Sequence, residues 1–171
     1  MRRQAAFDAS GRYRFSLRRI WNGRKGCVVF IMLNPSSADA VRDDSTIRRC
    51  VGFARTWGFG SLEVLNLFAY RTPFPSLLRR TADPVGAGND AYLIRAARRG
   101  DRVVAAWGNG GKWLDRERAV ARLLAPYVEF VCLGQTLQGA PRHPLYLPSR
   151  ARLRRWTLRD VDRATRTDQT D

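Results

Sequence analysis

The chain is short of lysine, cysteine, histidine and long apolar runs, and each shortage excludes something. Only Lys25 and Lys112 stand among 31 basic residues, so arginine carries almost all of the cationic charge. A GC-rich coding bias explains arginine in place of lysine. It does not explain the excess over 15 acidic residues that leaves a net charge of +16. Arginine forks match phosphate geometry, and a chain this basic points to a polyanion partner, nucleic acid above all. Three cysteines, Cys27, Cys50 and Cys132, without a C-x-x-C pair provide neither a disulfide framework nor a thiolate cluster. They read as small buried hydrophobes in a reducing, cytoplasmic compartment, and no metal or other cofactor is expected. No run approaches the roughly 18 apolar residues of a membrane-spanning helix, so no membrane partner is expected. Met1 to Trp21 lacks the apolar core of a secretory signal, although its Arg-rich, acid-poor composition matches a transit peptide. With 44% hydrophobic residues the chain is no disordered polymer, and at 171 residues it is too short for two ordinary domains. One monomeric domain over residues 1–156 is expected, with a polar, frayed tail over 157–171.

What is present is a series of short apolar runs, each stopped abruptly. Cys27 to Leu33 reads as a strand buried on both faces, and Asn34-Pro35 ends it because proline brings no N–H to a ladder. Leu62 to Phe68 repeats the pattern with Asn66 near its end. Val103 to Trp107 stops at Gly108, and Val128 to Leu133 stops at Gly134. The intervening segments are long enough for crossover helices, which predicts an α/β protein built from parallel βαβ units. Ligands of such sheets bind beyond the carboxyl ends of the strands, so Asn34, Asn66, the Gly108 turn and the loop after Gly134 should line one crevice. Arg12 to Leu17 alternates polar and apolar and suits an edge strand, followed by a turn at Asn22-Gly23.

Ser36 to Asp44 is a loop dense in short polar side chains, leading to an N-cap at Ser45 or Thr46. Ile47, Cys50, Val51, Ala54 and Trp57 then recur at helical spacing, and Gly58 is the stop. Asp43 and Asp44 stand where the helix dipole favours negative charge, so capping and chemistry are equally open to them. Ala69 to Gly88, broken by three prolines and two glycines, predicts an exposed functional loop or lid carrying Tyr70 and Phe74. A helix from Asn89 or Asp90 to Arg99 follows. Gly108-Asn109-Gly110-Gly111-Lys112 lacks phosphate-loop spacing and has Trp113 where the hydroxyl would stand, so it reads as a turn feeding a helix from Trp113 to Ala125.

The only histidine, His143, lies between Pro141 and Pro144 in the loop after the fourth strand. A lone histidine is usually structural or merely exposed. Stiff flanking prolines at the expected crevice favour function here. Leu145 and Tyr146 beside it have no obvious core to join. Arg142, Arg150, Arg152 and Arg154, with Arg48 and Arg49 earlier, are suited to phosphates.

These motifs carry two resemblances. Leu33-Asn34-Pro35-Ser36 with Ala38-Asp39, followed by Asp43-Asp44, Thr46 and Arg48-Arg49, is similar to the bacterial and phage family catalogued as domain of unknown function 1643. That likeness runs from Phe7 to Leu153. Separately, Asn34-Pro35-Ser36, strand-borne Asn66, Val103 to Gly108 and His143-Pro144-Leu145 come in the order and rough spacing of the uracil-DNA glycosylase superfamily motifs. The second resemblance implies a three-layer α/β/α sandwich around a short, mostly parallel four-stranded sheet. It implies that Asn34 positions a water, that Asn66 reads the edge of a flipped base with Pro35 and Ser36 among the residues contacting the substrate, and that His143 stabilises the departing base. Leu145 or Tyr146 would fill the emptied stack. Tyr70, Phe74 and Tyr146 are candidates for the stacking aromatic, with Trp107 and Gly108 lining the same crevice.

The residue types suit that chemistry. Breaking an N-glycosidic bond builds positive charge on the sugar and negative charge on the base, so a rigid donor near the base acts most at the transition state. A primary amide both donates and accepts, as reading a base edge requires. The expected function is a DNA glycosylase-like hydrolase acting on a damaged or modified base taken out of the stack. Two departures stand out. The strongest uracil enzymes have an aspartate at the position of Asn34, and an amide takes no proton at neutral pH; Leu145 replaces a serine. Asp39 or Asp44 could supply the missing base. The alternatives are a nucleic-acid-binding module that has lost the chemistry and a hydrolase or transferase for small nucleotides or nucleosides.

Overall fold

Seven strands form one sheet: β1 (Arg2–Phe7), β2 (Arg14–Ile20), β3 (Cys27–Met32), β4 (Ser61–Asn66), β5 (Arg102–Ala105), β6 (Phe130–Cys132) and β7 (Arg154–Arg155). The structure, a computed structural model, describes residues 1–159. The sheet order is β1-β2-β4-β3-β5-β6-β7, and the four inner strands β4-β3-β5-β6 run parallel. These are the apolar runs of the sequence. The β1–β2, β2–β4 and β6–β7 pairings are antiparallel, so the protein is a mixed α/β fold whose sheet is wider than four strands.

The added strands carry little apolar signal. β1 is an Arg-led, half-exposed edge whose charged residues discourage further pairing. It covers β2, and the strand expected at Arg12 to Leu17 is therefore an interior one. β7 contains only Arg154 and Arg155.

Alternation along β3 divides the core in two. Val28, Phe30 and Met32 pack with α1 (Ser45–Thr56), through Ile47, Cys50, Phe53 and Ala54. Val29 and Ile31 pack on the other face. There they meet α2 (Pro75–Arg80) through Leu78, α3 (Asn89–Arg99) through Leu93, Ala96 and Ala97, and α4 (Arg116–Leu124) through Val120, Ala121 and Leu124. Side chains that alternate across a strand make such two-sided burial the natural use of a continuous apolar run. No helix among the described residues is long and apolar enough to cross a membrane.

Helix starts differ from the sequence reading. Asp44, not Ser45 or Thr46, caps α1, its Oδ1 accepting from Ile47 N–H at 2.8 Å. Gly88, at φ 90°, precedes α3, and Asn89 is instead buried, donating from Nδ2 to the carbonyls of Asn66 and Leu67. The helix expected from Trp113 begins only at Arg116, behind a 3₁₀ segment (Asn109–Asp115) in which Leu114 and Asp115 take positive φ. The long loop after β4 contains α2. Of the expected tail, residues 160–171 lie outside the described residues, whereas Leu158 packs against the core.

A bulge in β2 and a buried arginine fix the ground near α1. The β1–β2 register passes from Ala6↔Ser16 to Phe7↔Arg14, which leaves Phe15 as an extra residue. Phe15 stacks on Tyr92 of α3 at 5.0 Å, while Arg14 turns toward the α1 face. Arg19, fully buried on that same face, donates to Asp43 Oδ1 at 2.7 Å and to the carbonyls of Gln4, Arg18, Asp39 and Arg42. It holds the 39–43 loop and so sets where α1 starts.

Candidate functional site

A cleft of about 230 Å³ opens where the strand order reverses, β3 being flanked by β4 on one side and β5 on the other. Such switch points are where α/β sheets bind ligands. Residues just past β3 (Leu33, Asn34, Ser36), past β4 (Thr72, Pro73), past β5 (Trp107) and past β6 (His143) line it, with Asp44, Thr46 and Ile47 from the start of α1. Arg14 comes from β2. A larger groove of about 620 Å³ lies along α4, β6 and residues 155–159, and it gathers none of the expected site residues.

Each wall is locked by the backbone. The β3–β4 pairing continues beyond the strands, Thr72 N–H donating to Pro35 O at 2.9 Å. Asn34 donates both amide protons to carbonyls, to Thr72 O at 2.8 Å and Pro35 O at 3.0 Å. Its Oδ1 is therefore the end left free, an acceptor only. On the facing side Gly108 N–H donates to Pro141 O at 2.8 Å, which ties the histidine loop to the end of β5. His143 accepts from Leu145 N–H on Nδ1 at 3.3 Å, so the neutral ring carries its proton on Nε2. Burial pushes the His143 pKa down, against an opposing pull from Asp44. The ring is neutral at neutral pH and a hydrogen-bond donor. Trp107 is buried, its Nε1 donating to Glu117 Oε2 at 2.9 Å. Burial raises the Glu117 carboxyl pKa, and the indole bond partly offsets this.

The structure thus brings together Asn34, Ser36, Asp44, Trp107 and His143, with Pro35 and Gly108 next to them in the chain but outside the lining. Asn66 is buried at 1% exposure and lies beneath the cleft, its Oδ1 3.5 Å from Arg14 Nη2. Asp39 is turned elsewhere. Its Oδ1 accepts from Arg42 and Val41 N–H at 2.7 Å each, and these bonds hold its carboxyl pKa below the usual range. Tyr70 meets Tyr13 edge-on at 5.7 Å, away from the cleft. Leu145 and Tyr146 form a 3₁₀ turn just beyond His143 and do not line the cleft, Tyr146 being 86% exposed.

The arginines divide similarly. Arg49 is pinned to Leu147 O and over the Phe53 ring, and Arg48 donates to Asp43 O, so both tie loops to α1. Arg142 is exposed next to His143. Arg150 and Arg152 line a groove with Thr56, Trp57 and Arg102 at the far end of α1, roughly 18 Å from its capped start, and Arg154 is exposed on β7. The residue that sequence reasoning missed is Arg14. Only the Phe15 bulge directs it here, and no local pattern announces a bulge.

An α/β protein with a polar cleft at its sheet's switch point is therefore what the geometry defines. The chain belongs to the DUF1643 family, described as protein of unknown function, whose model matches residues 14–145. That span contains every residue of the cleft and leaves out Arg150, Arg152 and Arg154. Searches of curated proteins and of solved structures gave no match.

Proposed function

We propose that the protein is a DNA glycosylase-like hydrolase that breaks the N-glycosidic bond of a damaged or modified base extruded from DNA. The observation that carries this reading is that Asn34 and His143, far apart in the chain, line one cleft with complementary free ends, an acceptor and a donor. Asn34 Oδ1 orients a water but takes no proton, and Asp44 is the carboxylate in the same cleft available to receive it. The Nε2–H of His143 faces the base and stabilises the negative charge that builds on it as the bond breaks. A locked amide and a neutral donor need no reorganisation during the reaction, which is where such groups act most. Phe74 and Tyr146, which follow the cleft residues Pro73 and His143 in the chain and are 60% and 86% exposed, offer apolar surface to a strand whose base has left the stack.

Excision is measured as alkali-labile breaks in a panel of modified oligonucleotides. Asn34→Ala and His143→Ala each reduce it at least a hundredfold, in line with loss of a positioned donor. No excision across a broad panel would discard the reading. One observation favours the second reading, a binding module without chemistry: the water-positioning place holds an amide with both protons already committed. In that case DNA affinity falls steeply with salt and is weakened by Arg152→Ala but not by Asn34→Ala.

A further inference from the structure

Arg14 is 2% exposed, yet the protein does not satisfy it. Its Nη1 donates to Ala38 O at 2.8 Å, its contact with Asn66 Oδ1 is long at 3.5 Å, and its Nε has no partner. Among the described residues no carboxylate stands within ion-pair distance of it. Asn66 beside it repeats the pattern, with Nδ2 buried and unpartnered. Two neighbouring orphaned donors, one of them on a cation, are costly to keep in a fold unless something else completes them.

The backbone shows that this orientation is built. Strict alternation would turn Arg14 with Ser16 toward Glu63 on the α3 face; the Phe15 bulge sends Phe15 there and Arg14 to the α1 face, at the wall of the cleft. Bulges beside functional sites commonly re-aim a side chain in this way. On the same wall lies the first turn of α1, a helix of 12 residues. Asp44 takes up only the Ile47 N–H, so those of Ser45 and Thr46 remain for a ligand at the positive end of the dipole.

We propose that Arg14, backed from beneath by Asn66, forms with the open first turn of α1 an anion subsite in the cleft that takes the oxygens of a phosphate group. The subsite holds whichever bond the protein breaks and does not rest on the glycosylase reading. Burial lowers the Arg14 pKa only to about 10, so the guanidinium remains charged under ordinary conditions. A guanidinium offers several donors in one plane, the geometry that phosphate oxygens fit. Asp44 is the opposing charge in the cleft, and it makes the proposal specific: removing that charge while keeping the cap should tighten the anion.

The test titrates inorganic phosphate into the full-length protein at constant ionic strength and reads the thermal shift. Arg14→Met weakens phosphate binding at least tenfold, Asp44→Asn tightens it, and Arg152→Ala leaves it unchanged. Equal binding by wild type and Arg14→Met, or a loss with Arg152→Ala as large as that with Arg14→Met, overturns the proposal. Should Arg14→Met fold poorly, the wild-type protein answers by NMR. Phosphate then moves the Arg14 Nε–H and the Ser45 and Thr46 amide resonances, and shifts confined to exposed arginines overturn the site. A nucleoside 5′-monophosphate, its nucleoside and a single-stranded oligonucleotide at equal salt identify the source of the phosphate. Preference for the monophosphate marks a free nucleotide, preference for the oligonucleotide marks the backbone, and a nucleoside that binds as tightly as its monophosphate overturns the proposal.

Discussion

Two arginines on β2, both buried and both facing α1, have opposite surroundings. Arg19 is saturated, with a carboxylate and four carbonyls around its guanidinium. Arg14 has one short bond and an orphaned Nε. Burial alone would class the two together. What separates them is whether the protein spends its own acceptors on the charge, and that difference distinguishes a group holding the fold from one held ready for a ligand.

Substituting each in turn should break the pair apart. Arg19→Met strips Asp43 of its buried partner and frees the 39–43 loop, and the expected loss is about 3 kcal/mol in urea denaturation. Arg14→Met replaces an incompletely satisfied cation with apolar volume, and stability is expected to hold or rise by up to about 1 kcal/mol. A large loss from Arg14→Met, equal to that from Arg19→Met, would show that both are structural and that the comparison is false.

The same distinction explains what could be read from the sequence. The four parallel strands were legible because a strand buried on both faces is mostly apolar, and Asn34, Gly108 and Gly134 mark where the burial of three of them ends. The crevice followed from topology, and Asn34, Asp44, Trp107 and His143 do line one cleft. β1 and β7 were illegible because edge strands need only pair on one side, and Arg-rich segments pair as readily as apolar ones. Arg14 was illegible for a different reason. Alternation assigns it to the wrong face, and only the register slip at Phe15, set by pairing with β1, reverses that. The Arg150 and Arg152 stripe was legible as charge but not as place; it lies at the far end of α1 from the cleft.

Asp44 sharpens the comparison at smaller amplitude because it both caps α1 and lines the cleft. Asp44→Ala loses the cap and should cost about 1 kcal/mol, whereas Asp44→Asn, an equally good cap, should cost only a few tenths. Any activity that needs a proton acceptor is lost in both. If Asp44→Asn keeps full activity, the carboxylate is a cap and nothing more.

His143 gives the smallest effect and extends the argument to a group whose charge is optional. Its Nδ1 is committed as an acceptor from Leu145 N–H, and burial disfavours the cation more than Asp44 favours it, so the folded pKa lies below 6.5. The sign follows. Above 6.5 the ring is neutral in both folded and unfolded chains, and its contribution is independent of pH. Below that value the unfolded chain binds a proton that the folded one refuses, so stability falls as pH drops through the window between 6.5 and the folded value. His143→Gln removes this term. The difference in melting temperature between wild type and His143→Gln is therefore expected to shift against the wild type on acidification and to be flat above neutrality. The opposite slope would mean that the folded protein prefers the imidazolium, placing His143 with Arg19 among charges the fold pairs for itself and leaving the cleft without a neutral donor.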